Sequence, residues 1–309
     1  MSIYLVTGGT GTLGTALALE LLARGHKVRA YARNEHRHED LERRAPEAAR
    51  SRLSCLVGDV RDAGRLRRAA EGADTLIHAA AMKIIPRCEY DPMEAVKTNV
   101  VGTMNAIEAA IDSSLQTAVL VSTDKAVAPA NLYGATKLLA ERMWLHANRY
   151  CGAKPGKFMA VRYGNVAGSA GSVWHVFRRA NGTLPITDAT MTRFHIRIEQ
   201  AVALVLRAAE EARAGELWVP KLPSYQLGDL AQALAPRAQV QIIGRRPGEK
   251  IHESMISPEE SCYAVEADDH YVLTPGVTRG PGGWSYHSGA NEWRLTREQI
   301  QEEDRCIPT

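Results

Sequence analysis

The residues best equipped for chemistry lie in one stretch, Ser122 to Lys137, which reads Ser-Thr-Asp-Lys-Ala-Val-Ala-Pro-Ala-Asn-Leu-Tyr-Gly-Ala-Thr-Lys. It sets a hydroxyl, a carboxylate and an amine at the end of an apolar run, then a Tyr and a Lys four residues apart. On a helix beginning after Asn131, Tyr133 and Lys137 share a face, and the ammonium is expected to lower the phenol's pKa by stabilising the phenolate. Tyr133 is then a candidate base near neutral pH. Tyr-x-x-x-Lys by itself describes two residues on a solvated helix face just as well, so its meaning rests on the elements around it.

Those elements begin at the start of the chain. Ile3 to Val6 is a short continuous apolar run, as in a buried parallel strand. Thr-Gly-Gly-Thr-Gly-Thr-Leu-Gly follows, with Gly8, Gly11 and Gly14 at three-residue intervals; Leu13, Leu17 and Leu21 then recur at helical spacing before the stop Arg24-Gly25 and a second strand, Val28 to Tyr31. This is a βαβ unit whose glycine turn and helix N-terminus suit a pyrophosphate. Gly8, Thr10, Gly11, Thr12, Leu13 and Gly14 are therefore candidate dinucleotide contacts. The second strand ends in Tyr31-Ala32-Arg33-Asn34, without the acidic residue that would receive an NAD ribose. Arg33 can pair with a 2′-phosphate instead, which favours NADP over NAD; a surface arginine is the other reading.

Leu53 to Val57 and Thr75 to Ile77 read as further strands, followed by Gly58-Asp59-Val60 and His78-Ala79-Ala80-Ala81. Asp59 and Val60 are candidates for the adenine side, Asp59 being equally suited to cap the next helix. Ala79, Ala80 and Ala81 permit close approach of a cofactor. A helical segment from Asp91-Pro92 to about Ala110 carries Lys97-Thr98-Asn99, and Ala118 to Val121 is the strand that delivers Ser122, Thr123, Asp124 and Lys125 to the ligand end of the sheet.

The helix after Lys137 is expected to reach about Tyr150, and Phe158 to Tyr163 is another strand. Beyond it Pro185-Ile-Thr-Asp and Met191-Thr-Arg-Phe read as loops, Glu199 to Ala212 as helix, Leu217 to Val219 as strand, Leu227 to Leu234 as helix and Gln239 to Ile243 as strand. The tail after Pro275 reads as extended and functionally uninformative. The expected architecture is an α/β doubly wound parallel sheet of Rossmann type over residues 1-165, completed by parts of 190-220, with a smaller substrate-binding portion over 166-309.

The totals fit an ordinary globular enzyme. Lys+Arg of 38 against Asp+Glu of 35 in 309 residues leaves +3, which demands neither nucleic acid nor membrane as partner. The five cysteines lack Cys-x-x-Cys spacing, so neither a disulfide framework nor a zinc site is expected. No export leader is visible and no apolar run nears the roughly 20 residues that span a bilayer. A soluble, cytoplasmic protein is expected.

With these motifs in place the sequence resembles the extended short-chain dehydrogenase/reductases, through Thr-Gly-x-x-Gly-x-x-Gly, Tyr-x-x-x-Lys and Arg-Tyr-Gly-Asn. Ala81-Met82-Lys83, Glu89-Tyr90-Asp91-Pro92, Lys97-Thr98-Asn99, Ser122-Thr123-Asp124-Lys125, Asn131 to Lys137, Pro185 to Asp188, Met191 to Phe194 and Arg246-Pro247-Gly248-Glu249-Lys250 narrow it to the inverting UDP-N-acetylglucosamine 4,6-dehydratases. The likeness runs from Ile3 to about Met255. Asp124-Lys125 is its most diagnostic pair, since retaining dehydratases carry Asp-Glu there and simple 4-epimerases usually neither.

The resemblance implies dehydration of a UDP-sugar, with UDP-N-acetylglucosamine first in line, to a 4-keto-6-deoxy product inverted at C5, using tightly bound NADP that is not consumed. Tyr133, aided by Lys137, takes the 4-hydroxyl proton; Lys125 removes the C5 hydrogen; Asp124 protonates the departing C6 hydroxyl. Lysine needs a lowered pKa for that task, which burial beside Lys137 or the oxidised nicotinamide is expected to supply. Asn99 and Ser122 join the cofactor contacts by the same route. Lys83, Thr123, Asn165 and Arg193 are carried over as substrate contacts, and Arg246 and Glu249 as contacts to the diphosphate and ribose, with a surface ion pair as the alternative. A homo-oligomer formed through helices beside the cofactor domain is implied as well. Departures occur at Ala170, where the family has Arg, at Trp174-His175, where it has an apolar-Pro pair, and at His195, where it has Trp; they bear on the identity of the sugar. An epimerase that never eliminates water and an NADP-sensing regulator are the competing readings.

Overall fold

The computed structural model describes residues 1–154, 156–169 and 171–307, so Ala170 lies outside the described residues. The glycine-turn unit forms as read: strand β1 (Ile3–Thr7), helix α1 (Thr12–Ala23) and strand β2 (Lys27–Ala32). Helix α1 buries Gly14, Leu17, Ala18, Leu21 and Leu22. Helix α2 (Glu35–Arg44), strand β3 (Leu53–Val57), helix α3 (Ala63–Ala70) and strand β4 (Thr75–His78) complete one half of the sheet.

The other half comprises α4 (Ile85–Tyr90), α5 (Pro92–Val96), a π-turn over Lys97–Val101, α6 (Gly102–Asp112), β5 (Thr117–Thr123), α7 (Leu132–His146) and β6 (Lys157–Tyr163). β1 pairs in parallel with both β2 and β4, placing Val6 between Ala30 and Ile77. The chain direction of winding reverses at that point, and a dinucleotide-sized crevice opens at the strand C-termini.

The remaining elements are β7 (Asn165–Val166), α8 (Val173–Arg178), β8 (Thr183–Ile186), β9 (Thr192–Ile196), α9 (Ile198–Glu211), β10 (Leu217–Pro220), β11 (Ser224–Gln226), α10 (Leu227–Leu234), β12 (Gln239–Ile242), β13 (Ser254–Ile256), β14 (Ala264–Glu266), β15 (His270–Leu273), β16 (Tyr286–His287) and α11 (Arg297–Cys306). β10 returns to pair with β6, and β15 and β14 extend the same sheet antiparallel, giving the order β14-β15-β10-β6-β5-β4-β1-β2-β3. The protein is thus a mixed α/β fold around a large, mainly parallel sheet.

Two segments read as loops are strands. Leu184 and Ile186 alternate with exposed Thr183 and Pro185, and among the described residues β8 pairs with β12 alone, so its proline removes no needed ladder bond. β9 lies between β7 and β11. The tail is structured too: Thr296 and Gln299 form a reciprocal cap on α11, whose Ile300 is fully buried in a second core with Trp174, Phe177, Leu184, Ile186, Tyr225 and Leu230. Sparse apolar residues in a polar helix hid this element from a periodicity reading.

Candidate active site

One cleft of about 850 Å³ runs from the glycine turn across the strand ends to the segment after Gly248. Gly8, Thr10, Gly11, Thr12, Leu13 and Gly14 form one end of it. Gly8 has φ of +68°, and a Cβ there would press into the Ala79–Ala80 backbone, so glycine holds the turn against the end of β4. Arg33, Asp59 and Val60 also line this end, with Asn34 and Arg37, which the sequence reading had not singled out. Asp59 does not cap α3; Asp62 does, accepting from the Arg65 N–H at 2.9 Å. Asp59 instead accepts from the Arg61 side chain, and Arg33 Nη1 stands 3.9 Å from it.

Ala79, Ala80, Ala81, Ser122, Tyr133 and Lys137 line the middle of the cleft. Asn99 does not reach it. Buried at 1 % exposure, it accepts from the Met82 N–H at 2.8 Å, donates to the Met82 carbonyl at 2.9 Å and donates to Thr136 at 3.0 Å. It fixes the segment after Ala81 against α7. Ser122 donates to Glu141 at 2.6 Å, and Glu141 pairs with the fully buried Arg162, which also holds Glu260.

The catalytic candidates converge where β5 meets α7. Asn131 caps α7 by accepting from the Gly134 N–H at 2.8 Å, and donates to the Gly248 carbonyl at 2.9 Å across the cleft. A Cβ at Gly134 would run into the Lys125 carbonyl, so only glycine lets α7 bring Tyr133 this close to Lys125. Lys125 Nζ donates to Asp124 Oδ1 at 3.0 Å and to Asn165 Oδ1 at 3.2 Å. Glu253, missed in the sequence, places Oε1 3.5 Å from the same nitrogen. Its only signal was a carboxylate following Arg-Pro-Gly-Glu-Lys, and it reaches the site through tertiary contact alone.

The electrostatics correct two expectations. Burial pushes the Tyr133 phenol up to about 12, and the cation that offsets this is Lys125, helped by a hydrogen bond with Thr123. Lys137 instead donates to the Val121 carbonyl at 2.8 Å, and burial brings it down to about 8 against the opposing charge of Glu141. The pKa of Lys125 is raised rather than lowered: burial alone favours the free amine, but Asp124 and Glu253 together outweigh it. Burial raises Asp124, with the Glu253 charge adding and Lys125 opposing, which suits an acid.

The substrate candidates Lys83, Thr123, Asn165, Arg193 and Glu249 all line the cleft. Arg193 donates to the carbonyls of Thr192, Lys250 and Ile251 and so also braces the wall that carries Glu253. Arg246 is outside the lining residues, 59 % exposed and 3.7 Å from Glu249. Trp174, His175 and His195 are not in the cleft wall either. Trp174 and His195 are 1 % and 2 % exposed, inside or against the second core, so these departures alter packing rather than the surface a sugar meets.

A family model described as polysaccharide biosynthesis protein matches residues 4–275. The chain belongs to this family. Within the polysaccharide biosynthesis proteins it is similar to the inverting UDP-N-acetylglucosamine 4,6-dehydratase of Campylobacter jejuni, at 42% identity over 282 residues, 88% of this chain and 83% of the relative. It is 36% identical to the UDP-glucose 4-epimerase of Rickettsia akari over 281 residues, 87% of this chain and 82% of that one. The X-ray structure of Pen from Bacillus thuringiensis superposes with a TM-score of 0.93 at 33% identity, covering 99% of this chain and 98% of Pen. The family's short-chain dehydrogenase/reductase architecture is therefore present along nearly the whole chain.

Proposed function

We propose that this member of the family is a UDP-sugar 4,6-dehydratase, acting on UDP-N-acetylglucosamine with inversion at C5 and using tightly bound NADP. The observation that carries the reading is the Asp124–Lys125 pair, 3.0 Å apart, with Lys125 beside Tyr133 in the wall of the cleft and Asp124 buried directly behind it. An acid and a base so placed suit elimination of water; hydride exchange alone does not require them.

The cleft fits a nicotinamide dinucleotide. The glycine turn leads into the N-terminus of α1, whose first N–H groups and dipole suit a pyrophosphate. At the adenosine end Arg33 and Arg37 line the wall where an acidic residue would favour NAD, and this supports NADP. When bound, the nicotinamide supplies oxidation at C4 and reduction at C6.

The chain's own residues do the proton work. Tyr133 takes the proton of the 4-hydroxyl, and Thr123 and Lys125 stabilise the phenolate that it needs. With a ketone at C4 the C5 hydrogen is acidic; Lys125 removes it and Asp124 delivers a proton to the departing C6 hydroxyl. Lys83, Thr123, Asn165 and Arg193 serve the sugar side, and Glu249 serves the nucleotide side, all five from the cleft wall.

Among the described residues no helix is long and apolar enough to cross a membrane, in keeping with a cytoplasmic enzyme. Exposed Tyr90, Met93, Met104 and Leu139 on helices α4 to α7 support a homo-oligomer.

The test is incubation of the purified protein with UDP-N-acetylglucosamine in deuterated water without added cofactor, followed by mass spectrometry and proton NMR. Loss of one water with deuterium at C5 is expected, the C5 couplings reporting inversion. The likeness to an epimerase favours a second reading, which predicts a product of unchanged mass.

A further inference from the structure

Lys125 is the base in the reaction proposed above, yet its ammonium is held by two hydrogen bonds and two carboxylates. Asp124 Oδ1 at 3.0 Å and Asn165 Oδ1 at 3.2 Å accept hydrogen bonds from Nζ, and Glu253 Oε1 stands 3.5 Å away as its second ion-pair partner. An ammonium has no lone pair, so a proton must leave before the amine can take the C5 hydrogen. Asn165 cannot hold it. Asp124 must arrive carrying its own proton for the departing hydroxyl, which leaves no vacancy there.

Glu253 is the carboxylate that remains. It is 3 % exposed and lines the cleft. Its backbone is pinned on both sides by Ser288, whose Oγ accepts from the Glu253 N–H at 3.0 Å and whose N–H donates to the Glu253 carbonyl at 2.8 Å. Glu253 Oε2 and Asp124 Oδ2 are both buried without a hydrogen-bond partner among the described residues. Buried carboxylate oxygens are rarely left unpartnered, and such an oxygen can carry a proton.

We propose that Glu253 is the proton partner of Lys125: within the dehydratase reading, it accepts one proton from the Lys125 ammonium, leaving a neutral amine toward C5 while Asp124 keeps its own proton. One N–H bond breaks and one O–H bond forms, and the pair passes from +1 and −1 to two neutral groups.

The groups facing this pair set when the transfer occurs. Asp124 and Tyr133 adjoin Lys125, Lys83 stands across from it, and Arg193, Lys250 and Tyr225 complete the surroundings. In the open cleft Glu253 is held ionised, because Lys125, Arg193 and Lys250 outweigh the effect of its burial. A sugar nucleotide that engages Arg193 withdraws one of these cations and excludes water, and desolvation then favours the neutral pair.

The experiment compares the wild-type protein with Glu253→Gln and Glu253→Asp, each carrying its co-purified cofactor. Lysine Nζ NMR, with Lys125 assigned from the Lys125→Ala spectrum, should show Lys125 titrating about one to three units lower in Glu253→Gln, the usual effect of removing a close opposite charge. Deuterium exchange at C5 of UDP-N-acetylglucosamine should fall about a hundredfold in the same variant. The remaining rate should climb with pH, because Lys125 must then discharge to solvent, and Glu253→Asp should recover part of the loss. Unchanged titration of Lys125 overturns the pairing whatever the substrate proves to be. Wild-type exchange with a wild-type pH profile in Glu253→Gln overturns the transfer. A wild-type protein whose Lys125 depends on Glu253 but which leaves the sugar intact counts against the substrate reading alone.

Discussion

The indole of Trp174 lies against the imidazole of His195, with ring centroids 5.1 Å apart and planes tilted by 41°. Tyr225 meets the same indole edge-on at 5.9 Å. The resemblance implies Trp at position 195 and an apolar residue at 174, and against that pattern bulk has been exchanged between two facing positions. The imidazole thereby gains Glu303 of α11 as a partner at 2.9 Å.

This exchange predicts a packing effect without a change of substrate. Trp174→Ala should cost about 3–5 kcal/mol, as for other large buried aromatics. His195→Trp should be poorly tolerated beside Trp174 and better tolerated beside Trp174→Leu, with a coupling of about 0.5–3 kcal/mol. Chemical denaturation of the two single variants and the double variant measures it. Additive costs, or an altered sugar preference in the folded double variant, would contradict the account.

Separate losses are expected for the two proton-transfer residues. Lys125→Ala should lose water elimination and C5 exchange by about 10²–10⁴-fold while retaining its bound cofactor. Tyr133→Phe should fail earlier, at oxidation of C4, with the cofactor likewise retained. Single-turnover absorbance of reduced nicotinamide separates the two steps. Full dehydration by Lys125→Ala would remove it as the base.

Much of this arrangement was readable from local pattern, because strand, glycine turn and helix each leave a short-range signature. Ile3 to Tyr31 shows all of them, and Tyr133 with Lys137 shows helical spacing. What local pattern does not carry is the result of burial and of contacts distant in sequence. Glu253 reaches Lys125 across 128 positions of chain only because β13 and the residues around Ser288 fold back on β9. That contact adds to the larger effect of Asp124 in reversing the expected direction of the Lys125 shift. β8 and α11 were missed for a related reason, since their few apolar residues take meaning from a second core assembled by α8, α10 and β11.

The proposed preference for NADP is tested first at Arg33. Arg33 is 61 % exposed and stands 3.9 Å from an Asp59 that Arg61 already occupies, so its guanidinium is available to a 2′-phosphate. Arg33→Ser should weaken NADP relative to NAD by about tenfold to a hundredfold, the range for one charge-assisted hydrogen bond. Mass analysis of the nucleotide co-purifying with each variant, and titration of the stripped protein, report the preference. An unchanged ratio would assign the phosphate to Arg37 or exclude NADP.

His78 gives the fold a pH dependence of its own. Its Nδ1 meets the Thr7 hydroxyl at 2.8 Å, its Nε2 meets Thr103 at 3.2 Å, and its ring stacks on Trp144, so it joins β1, β4, α6 and α7 beneath the cleft. Complete burial, reinforced by the charge of Lys137, brings its pKa from 6.5 down to about 3. Above pH 6.5 the folded and unfolded chains are both neutral here and the group contributes no slope. Between pH 6.5 and about 3 the unfolded chain binds a proton that the folded chain refuses, so stability falls as the pH falls, by up to about 1.4 kcal/mol per unit. Urea denaturation at pH 7 and pH 5 should therefore show a loss in the wild-type protein that is about 2 kcal/mol smaller in His78→Gln, which has no proton to gain. Equal losses in the two proteins would mean that His78 titrates normally and that other groups carry the acid sensitivity.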